Sequence, residues 1–306
     1  MIPLCAPENA KLPTALALGS FDGLHLGHKK VINAILKEPI GVPTVVSFWP
    51  HPREVLFGES RLRLDLPNEK TFLLEPLGIE QLVLVPFDKN LASKSAETFV
   101  EEILVKTLHA KHIAVGENFR FGRNREGDTS TLKKIGTSLG IKISIVSIVE
   151  DNHGRLSSSR VRKALNEGDL KHAKYLLKRP YTFRGTVEKG RGLGKKIGWP
   201  TANLKIDGRK FLPSLGVYAA WASIANKKER FLAVMNMGPQ PTIDPNSLSA
   251  VEVHLLDKEI DLLGHELIIE PVQRIRLQKK FENIEALSKQ ISLDAILAKE
   301  ILTKKL

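Results

Sequence analysis

Between Thr14 and about Arg179, short apolar runs alternate with stretches whose apolar positions recur every three or four residues, and clusters of Gly, Pro, Asn or Asp close each run. Continuous apolar runs at Thr14 to Leu18, Thr44 to Phe48, Leu82 to Val85, His112 to Val115 and Ile141 to Val146 read as strands buried on both faces, as in a parallel sheet. Helical spacing falls between them. Phe99, Val100, Ile103, Leu104 and Leu108 share one face of a helix expected over Ala96 to His109, while Leu132, Ile135 and Leu139 mark another. This alternation predicts an α/β fold built on a doubly wound parallel sheet.

The pattern changes at Lys178-Arg179-Pro180, where the proline ends a short helix and β-type segments follow with few helical ones between them. Strands are expected at Tyr181 to Val187, Gly216 to Ile224, Arg230 to Met235, Ala250 to Leu256 and Glu266 to Ile275, a spacing suited to a small antiparallel β-barrel. A terminal helix over Ile284 to Leu302 takes its apolar stripe from Ile284, Leu287 and Ile291. Two domains follow, 1–179 and 180–306, consistent with a 306-residue chain at about 150 residues per domain.

Composition narrows the function class. With 42% apolar and 26% charged residues, the chain is an ordinary globular protein and neither disordered nor collagenous. No apolar run approaches the roughly 20 residues that span a bilayer. The opening stretch carries Pro3, Pro7, Glu8, Asn9 and Pro13 where a leader would be apolar. The single cysteine, Cys5, supplies neither an internal disulfide nor a zinc cluster, which fits a reducing cytoplasm. The formal charge of +12 attracts polyanions. Its longest basic runs are pairs such as Lys29-Lys30 and Lys304-Lys305, so a dedicated nucleic-acid interface is not expected.

The first expected strand runs into Gly19-Ser20-Phe21-Asp22-Gly23-Leu24-His25-Leu26-Gly27-His28, and a helix begins at once with Val31, Ile32, Ile35 and Leu36 on its buried side. Glycines admit close backbone approach, and first-turn N–H groups with the helix dipole make the corner an anion site. Two histidines three apart can each donate to phosphate oxygens and stabilise charge that builds at phosphorus. The plain alternative is a pair of solvated helix-capping histidines. The joint pattern of strand, Gly-rich turn, His25, His28 and helix is the HxGH signature of nucleotidylyltransferases.

Other strand ends converge on the same place, since ligands of open α/β sheets bind outside the carboxyl ends of the strands. They carry Trp49-Pro50-His51-Pro52, the segment Gly116 to Gly122 and the segment Leu156 to Arg162. In the last, Ser158 and Ser159 can cap a helix while Arg160 and Arg162 supply charge for a triphosphate. Phe119, Phe121 and Trp49 can either stack on a flat ring or pack into the core. Leu91-Ala92-Ser93-Lys94-Ser95 faintly resembles the KMSKS loop of class I aminoacyl-tRNA synthetases, but it precedes the last strand and leads straight into a helix, so it reads as a capping loop.

In the barrel half, Gly190 to Asn203 combines a glycine loop with Lys195, Lys196 and Pro200-Thr201-Ala202-Asn203. The backbone of Gly192 and Gly194 can wrap phosphates, Lys195 or Lys196 can neutralise them, and Thr201 and Asn203 offer neutral oxygens suited to Mg²⁺. A solvated hairpin loop is the alternative. Farther on, Glu252 and His254 share one face of an expected strand, and Glu252 is the candidate base for an alcohol acceptor.

Taken together, these residues resemble the prokaryotic bifunctional riboflavin kinase/FMN adenylyltransferase (FAD synthetase) family over almost the whole chain. The first half carries Gly19 to Gly23 with His25 and His28, Pro50-His51-Pro52, Gly116 to Gly122 and Ser157 to Arg162 in the family's order. The second half carries the Pro-Thr-Ala-Asn segment, Gly216-Val217-Tyr218, an Asn236-Met237-Gly238 turn leading to Pro241-Thr242, and Glu252 to Asp257. Ser159 stands for the family's usual Thr, and Gln240 stands where Arg commonly precedes Pro-Thr.

The resemblance implies that the barrel phosphorylates riboflavin with ATP and Mg²⁺, and that the α/β module joins FMN to AMP, releasing pyrophosphate and leaving FAD. His25, His28 and Arg160 would stabilise adenylyl transfer, and Gly19, Ser20, Phe21, Asp22, Gly23, Ser158, Ser159 and Arg162 would hold ATP there. Asn118 and Phe121 would touch flavin. Thr201 and Asn203 would carry the metal, Glu252 would take the proton of the ribityl 5′-hydroxyl, and Gly192, Gly194 and Lys195 would hold the kinase's ATP. The implied partners are the small molecules riboflavin, FMN and ATP, with no nucleic acid, no membrane and at most weak self-association. The competing reading is a flavin- or nucleotide-binding regulator with one module catalytically impaired.

Overall fold

The computed structural model describes residues 1–38, 40–59, 62–190, 194, 198–238 and 250–304. By packing the chain divides into two compact units, Met1–Ser158 and Ser159–Leu306.

The first unit holds a six-stranded parallel sheet of β1 (Leu4–Cys5), β2 (Thr14–Leu18), β3 (Val42–Trp49), β4 (Gln81–Pro86), β5 (Ala110–Gly116) and β6 (Lys142–Val146), in the order β1-β4-β3-β2-β5-β6. Its helices are α1 (Leu26–Leu36), α2 (Pro52–Phe57), α3 (Pro67–Leu74), α4 (Lys89–Ser93), α5 (Ala96–Phe99, continued in π form over Val100–Thr107) and α6 (Thr129–Ser138). A two-stranded hairpin, β7 (Glu150–Asp151) and β8 (Gly154–Arg155), follows.

Why the strands read as continuous apolar runs is visible in β2, where all five side chains are buried. Leu16 and Leu18 pack with Phe99, Val100 and Leu104 on one face, while Ala15 and Ala17 pack with Ile32 and Ile35 of α1 on the other. The small alanines let α1 approach the sheet closely. β2 hydrogen-bonds to β3 on one side and β5 on the other, so the chain reverses its direction of travel across the sheet at β2. That makes the carboxyl end of β2 the topological switch point, where open α/β sheets take ligands. The expected capping loop is one: Ser95 Oγ accepts from Thr98 N at 3.1 Å ahead of α5.

The second unit takes in α7 (Ser158–Glu167) from its second residue on, then α8 (Leu170–Leu177) and a closed six-stranded antiparallel barrel. Its strands are β9 (Phe183–Glu188), β10 (Ala202–Lys205), β11 (Gly216–Ile224), β12 (Arg230–Gly238), β13 (Ala250–Leu255) and β14 (Glu266–Arg276), arranged as β10-β13-β12-β11-β14-β9. The helix pair, which helical periodicity alone assigns to the first half, groups with the barrel. Ser214 N donates to Leu165 O at 3.0 Å, and the backbone of Gly168 lies against the Arg274 guanidinium.

Two expectations change here. The Asn236-Met237-Gly238 segment is not a turn but the end of β12, paired with β13 through Asn236↔Glu252. The terminal helix α9 (Ile284–Thr303) buries Ala295, Ala298 and Leu302 against Val217, Ala219 and Val234, whereas Ile284 is 62% exposed. The first turn, capped by Asn283, is solvated, so the contact face lies in the second half of the helix. Among the described residues, no helix is long and apolar enough to cross a membrane.

Candidate active sites

The turn after β2 is held in an unusual backbone path. Phe21, Gly23 and Leu24 adopt positive φ (46°, 90° and 45°), and the two non-glycine residues cost about 1 kcal/mol each or more. Burial and hydrogen bonds enforce it. Phe21 and Leu24 are core residues. Asp22 is buried, and its Oδ1 accepts from Leu64 N (2.9 Å) and Asp65 N (3.4 Å). Its carbonyl accepts from Ser158 Oγ at 2.8 Å. The Ser20 carbonyl accepts from Lys70 Nζ (2.8 Å) and Ser47 Oγ (3.2 Å).

This path places His25 at the N-cap of α1 and His28 one turn on, with their rings stacked at 3.7 Å and 20°. The Phe21 ring meets His28 edge-on at 5.3 Å. A Cβ on Gly27 would approach the His25 ring to 3.2 Å, so glycine there lets the ring lie flat over the helix start. Both Nδ1 atoms are buried without a hydrogen-bond partner. Burial lowers the His25 pKa to about 4, helped by Arg155 and opposed by Asp22. Burial also lowers that of His28, and His25, Lys70 and Arg155 push the same way. Both rings are therefore neutral at pH 7. They are uncharged donors awaiting an acceptor, as a phosphate-binding corner requires.

Asn118 follows β5, next to β2 in the sheet. With its amide oxygen turned toward Arg155, its side chain accepts from Nη2 (2.8 Å) and Nη1 (3.1 Å). Phe121 is 7% exposed and packs with Phe99 inside the sheet–helix core, while half-buried Phe119 stacks on it at 5.5 Å. Phe121 is thus a core ring, and Phe119 is the more accessible of the two. His51 caps α2, accepting from Arg53 N at 3.2 Å through Nδ1.

Ser158 opens α7, and Ser159 and Arg160 lie in its first turn. Ser158 is tied to the turn after β2 through Asp22. Arg162 sits with its guanidinium over the Phe211 ring at 5.6 Å.

In the barrel, β10 lies between β9 and β13, with Asn203 opposite Glu252. Asn236 of β12 faces Glu252 from the other side and donates from Nδ2 to its Oε2 at 3.2 Å. Gln278 Nε2 donates to Asn236 Oδ1 (2.8 Å) and Met237 O (2.7 Å), which fixes the Asn236 amide as donor to the carboxylate. His254 donates from Nδ1 to Pro200 O at 2.7 Å and meets Trp199 edge-on at 5.0 Å, pinning the Pro-Thr-Ala-Asn segment to β13. A Cβ on Gly190 would run into the Asn203 amide, and one on Gly194 into the Trp199 carbonyl with Thr201 Oγ1 3.2 Å away. The backbone at Gly190 therefore lies against Asn203, and that at Gly194 lies close to Thr201. Gly192, Lys195, Lys196, Gln240 and Pro241-Thr242 lie outside the described residues.

Among the described residues, no group of three His, Cys, Asp or Glu side chains gathers as a metal cage. Thr201 and Asn203 carry neutral hard oxygens that could hold Mg²⁺, an ion that keeps several waters and the phosphate oxygens of its substrate.

Sequence reasoning singled out His25, His28, Asn118, Thr201, Asn203 and Glu252, and the structure stacks His25 on His28 and sets Asn203 opposite Glu252. Sequence reasoning missed Arg155, Lys70 and Gln278 as neighbours of those residues. Arg155 stood one residue before a segment already singled out, and for Lys70 and Gln278 no local signal exists.

The FAD synthetase family matches residues 8–160 and the riboflavin kinase family matches residues 177–302. A bifunctional riboflavin kinase/FMN adenylyltransferase of Haemophilus influenzae is 35% identical over 93% of this chain and 93% of its own length. One of Escherichia coli is 36% identical over 93% and 91% respectively. The crystal structure of a Streptococcus pneumoniae protein described as a macrolide-efflux protein superposes with a TM-score of 0.84 at 28% identity, covering 97% of this chain and 98% of that one.

Proposed function

The chain belongs to the bifunctional riboflavin kinase/FMN adenylyltransferase family, and from that premise we propose how its residues divide the two reactions. It is a transferase with both modules present in one chain.

In the barrel, the ribityl 5′-hydroxyl oxygen of riboflavin attacks the γ-phosphorus of ATP, the bond to the bridging oxygen of ADP breaks, and FMN forms. Glu252 takes the hydroxyl proton. Its Oε2 is committed to Asn236, which leaves Oε1 for the substrate. Thr201 and Asn203 would hold Mg²⁺, whose charge offsets that of the phosphates.

In the parallel-sheet module, a phosphate oxygen of FMN attacks the α-phosphorus of a second ATP, and pyrophosphate leaves. The nucleophile is already an anion, so no base is required. What the step needs is donors aimed at the charge that builds on the α-phosphate, and His25 and His28 supply neutral N–H groups from a dry corner. The turn from Gly19 to Gly23 with Ser158 would cradle ATP, Arg160 would add positive charge, and Asn118, with Phe119 more accessible than Phe121, would contact the flavin. The cytoplasm, which supplies ATP and Mg²⁺, is the compartment this chemistry fits.

The observation that carries the adenylyl-transfer role is the stacked, buried pair of imidazoles whose Nδ1 atoms have no partner at the sheet's switch point. The pure protein incubated with riboflavin, ATP and Mg²⁺, followed by chromatography, is expected to show FMN first and FAD after it. FMN without FAD, or neither, would favour the regulator reading with an impaired module.

A further inference from the structure

The two-step scheme leaves one buried charge near the imidazoles without a role. Lys70, on α3, is 6% exposed, and its Nζ donates to the Ser20 carbonyl at 2.8 Å. Asp22 and Asp65 stabilise the ammonium, while burial and Arg63 oppose it, and the net effect is a pKa below that of a free lysine. A buried ammonium is costly and persists only where carboxylates and hydrogen bonds compensate it. Here the buried carboxylates of Asp22 and Asp65 do so. What it touches is the strained turn that carries the phosphate site, at the residue just before Phe21.

The turn is held from three directions. The Asp22 carboxylate takes the amides of Leu64 and Asp65, the Asp22 carbonyl takes Ser158 Oγ, and the Ser20 carbonyl takes Lys70. Ser47 Oγ shares the last site at 3.2 Å, so a neutral donor is already present and the lysine adds something a neutral donor does not. That something is charge. The charged and titratable groups that act on His28 are His25, Lys70 and Arg155, and all three disfavour a second positive charge in the corner.

We propose that Lys70 is a positioning residue for adenylyl transfer: its ammonium holds the Ser20 carbonyl, which fixes the turn between β2 and α1, and it sets a buried positive charge beside His28. This inference rests on the adenylyltransferase reading of that site. The lysine touches no reacting atom. It keeps the strained turn in one conformation and adds to burial and His25 in disfavouring a proton on His28, so that the ring can point a single N–H at the α-phosphate and not bind anions as a loose ion pair.

The test uses the full chain with Lys70→Met and Lys70→Gln, assayed separately for FMN plus ATP giving FAD and for riboflavin plus ATP giving FMN. Lys70→Met is expected to lower kcat for FAD formation by roughly tenfold or more, as small displacements of a reacting geometry do. The riboflavin kinase rate stays within about twofold, because that reaction belongs to the other unit, and a cooperative thermal unfolding transition of the parallel-sheet unit shows that it remains folded. Lys70→Gln retains a donor to Ser20 and loses only the charge. It is expected to hold KM for FMN near that of the parent, lower kcat, and move the acid limb of the kcat profile to higher pH, because His28 then protonates more easily. If Lys70→Met no longer binds ATP at all, the Lys70→Gln profile decides. A parental kcat and an unmoved acid limb in Lys70→Gln would overturn the inference while leaving the adenylyltransferase reading intact. A parent chain that makes no FAD from FMN would overturn the reading itself.

Discussion

His25 and His28 stack at 3.7 Å, and two imidazolium ions at that separation would repel by roughly 4 kcal/mol at an effective dielectric of about 20. Desolvation acts in the same direction, so the folded chain holds the pair neutral. The unfolded chain does not. Its histidines take up protons near pH 6.5, whereas His25 in the fold does so at about 4. Between those values the unfolded state binds more protons, so stability falls as pH falls, by up to about 3 kcal/mol from His25 alone, and is fully present above pH 6.5. Thermal unfolding of the parallel-sheet unit followed from pH 7 to 4.5 is expected to show this loss, and His25→Gln should flatten it. Equal slopes in parent and variant would contradict the assignment. The histidines were visible in the sequence because a strand, a glycine-rich turn and a helix surround them in one continuous stretch, Thr14 to Leu36. Lys70 and Gln278 were not, because each meets its partner across a long stretch of chain: 50 residues from Lys70 to Ser20 and 42 from Gln278 to Asn236.

Strands of the parallel sheet announced themselves because burial on both faces demands unbroken apolar runs, and β2 and β11 begin and end where the pattern placed them. The four strands it overlooked among the described residues are short: the two of the β7–β8 hairpin, β1 and β10. β1 spans Leu4–Cys5, and β10 spans Ala202–Lys205 with a single fully buried side chain, Leu204. β10 forms through its neighbours: β9 and β13 both pair with it, which closes the barrel and sets Asn203 against Glu252. A Pro-Thr-Ala-Asn run therefore reads locally as a loop, while its Ala202 and Asn203 open a strand. The apolar stripe of α9 was legible only in part, since Leu287 and Ile291 lie on the face that Ala295, Ala298 and Leu302 continue while Ile284 is exposed. Its buried face is rich in alanine, at Ala295 and Ala298, which a hydrophobic pattern underweights against Ile284. The glycine loop ahead of β10 yields a test of this element: Gly190→Ala puts a methyl group into the Asn203 amide. Riboflavin phosphorylation is expected to fall by about tenfold or more, with FAD formation from supplied FMN unchanged. An unimpaired kinase rate would show that Asn203 is free to move and does not need that contact.

Two folds that bury their cores independently share this chain, and each brings its own solution to phosphate chemistry. The sheet module offers neutral donors at a helix start and needs no base, because its acceptor is a phosphate. The barrel offers a carboxylate across from neutral oxygens, because its acceptor is an alcohol. That division was readable from the sequence once both motif sets were found in order, and the family matches over residues 8–160 and 177–302 agree with it. How the helix pair α7–α8 is shared out was not readable, since helical periodicity says which face is buried but not against what. The division of labour itself is tested most directly by assaying His28→Ala and Glu252→Gln side by side in both half-reactions. His28→Ala is expected to make FMN from riboflavin and to accumulate it, with FAD formation lowered by roughly 10²- to 10³-fold, whereas Glu252→Gln converts supplied FMN to FAD and fails to phosphorylate riboflavin. A substitution that abolishes both reactions, or neither, would contradict the assignment of one chemistry to each module.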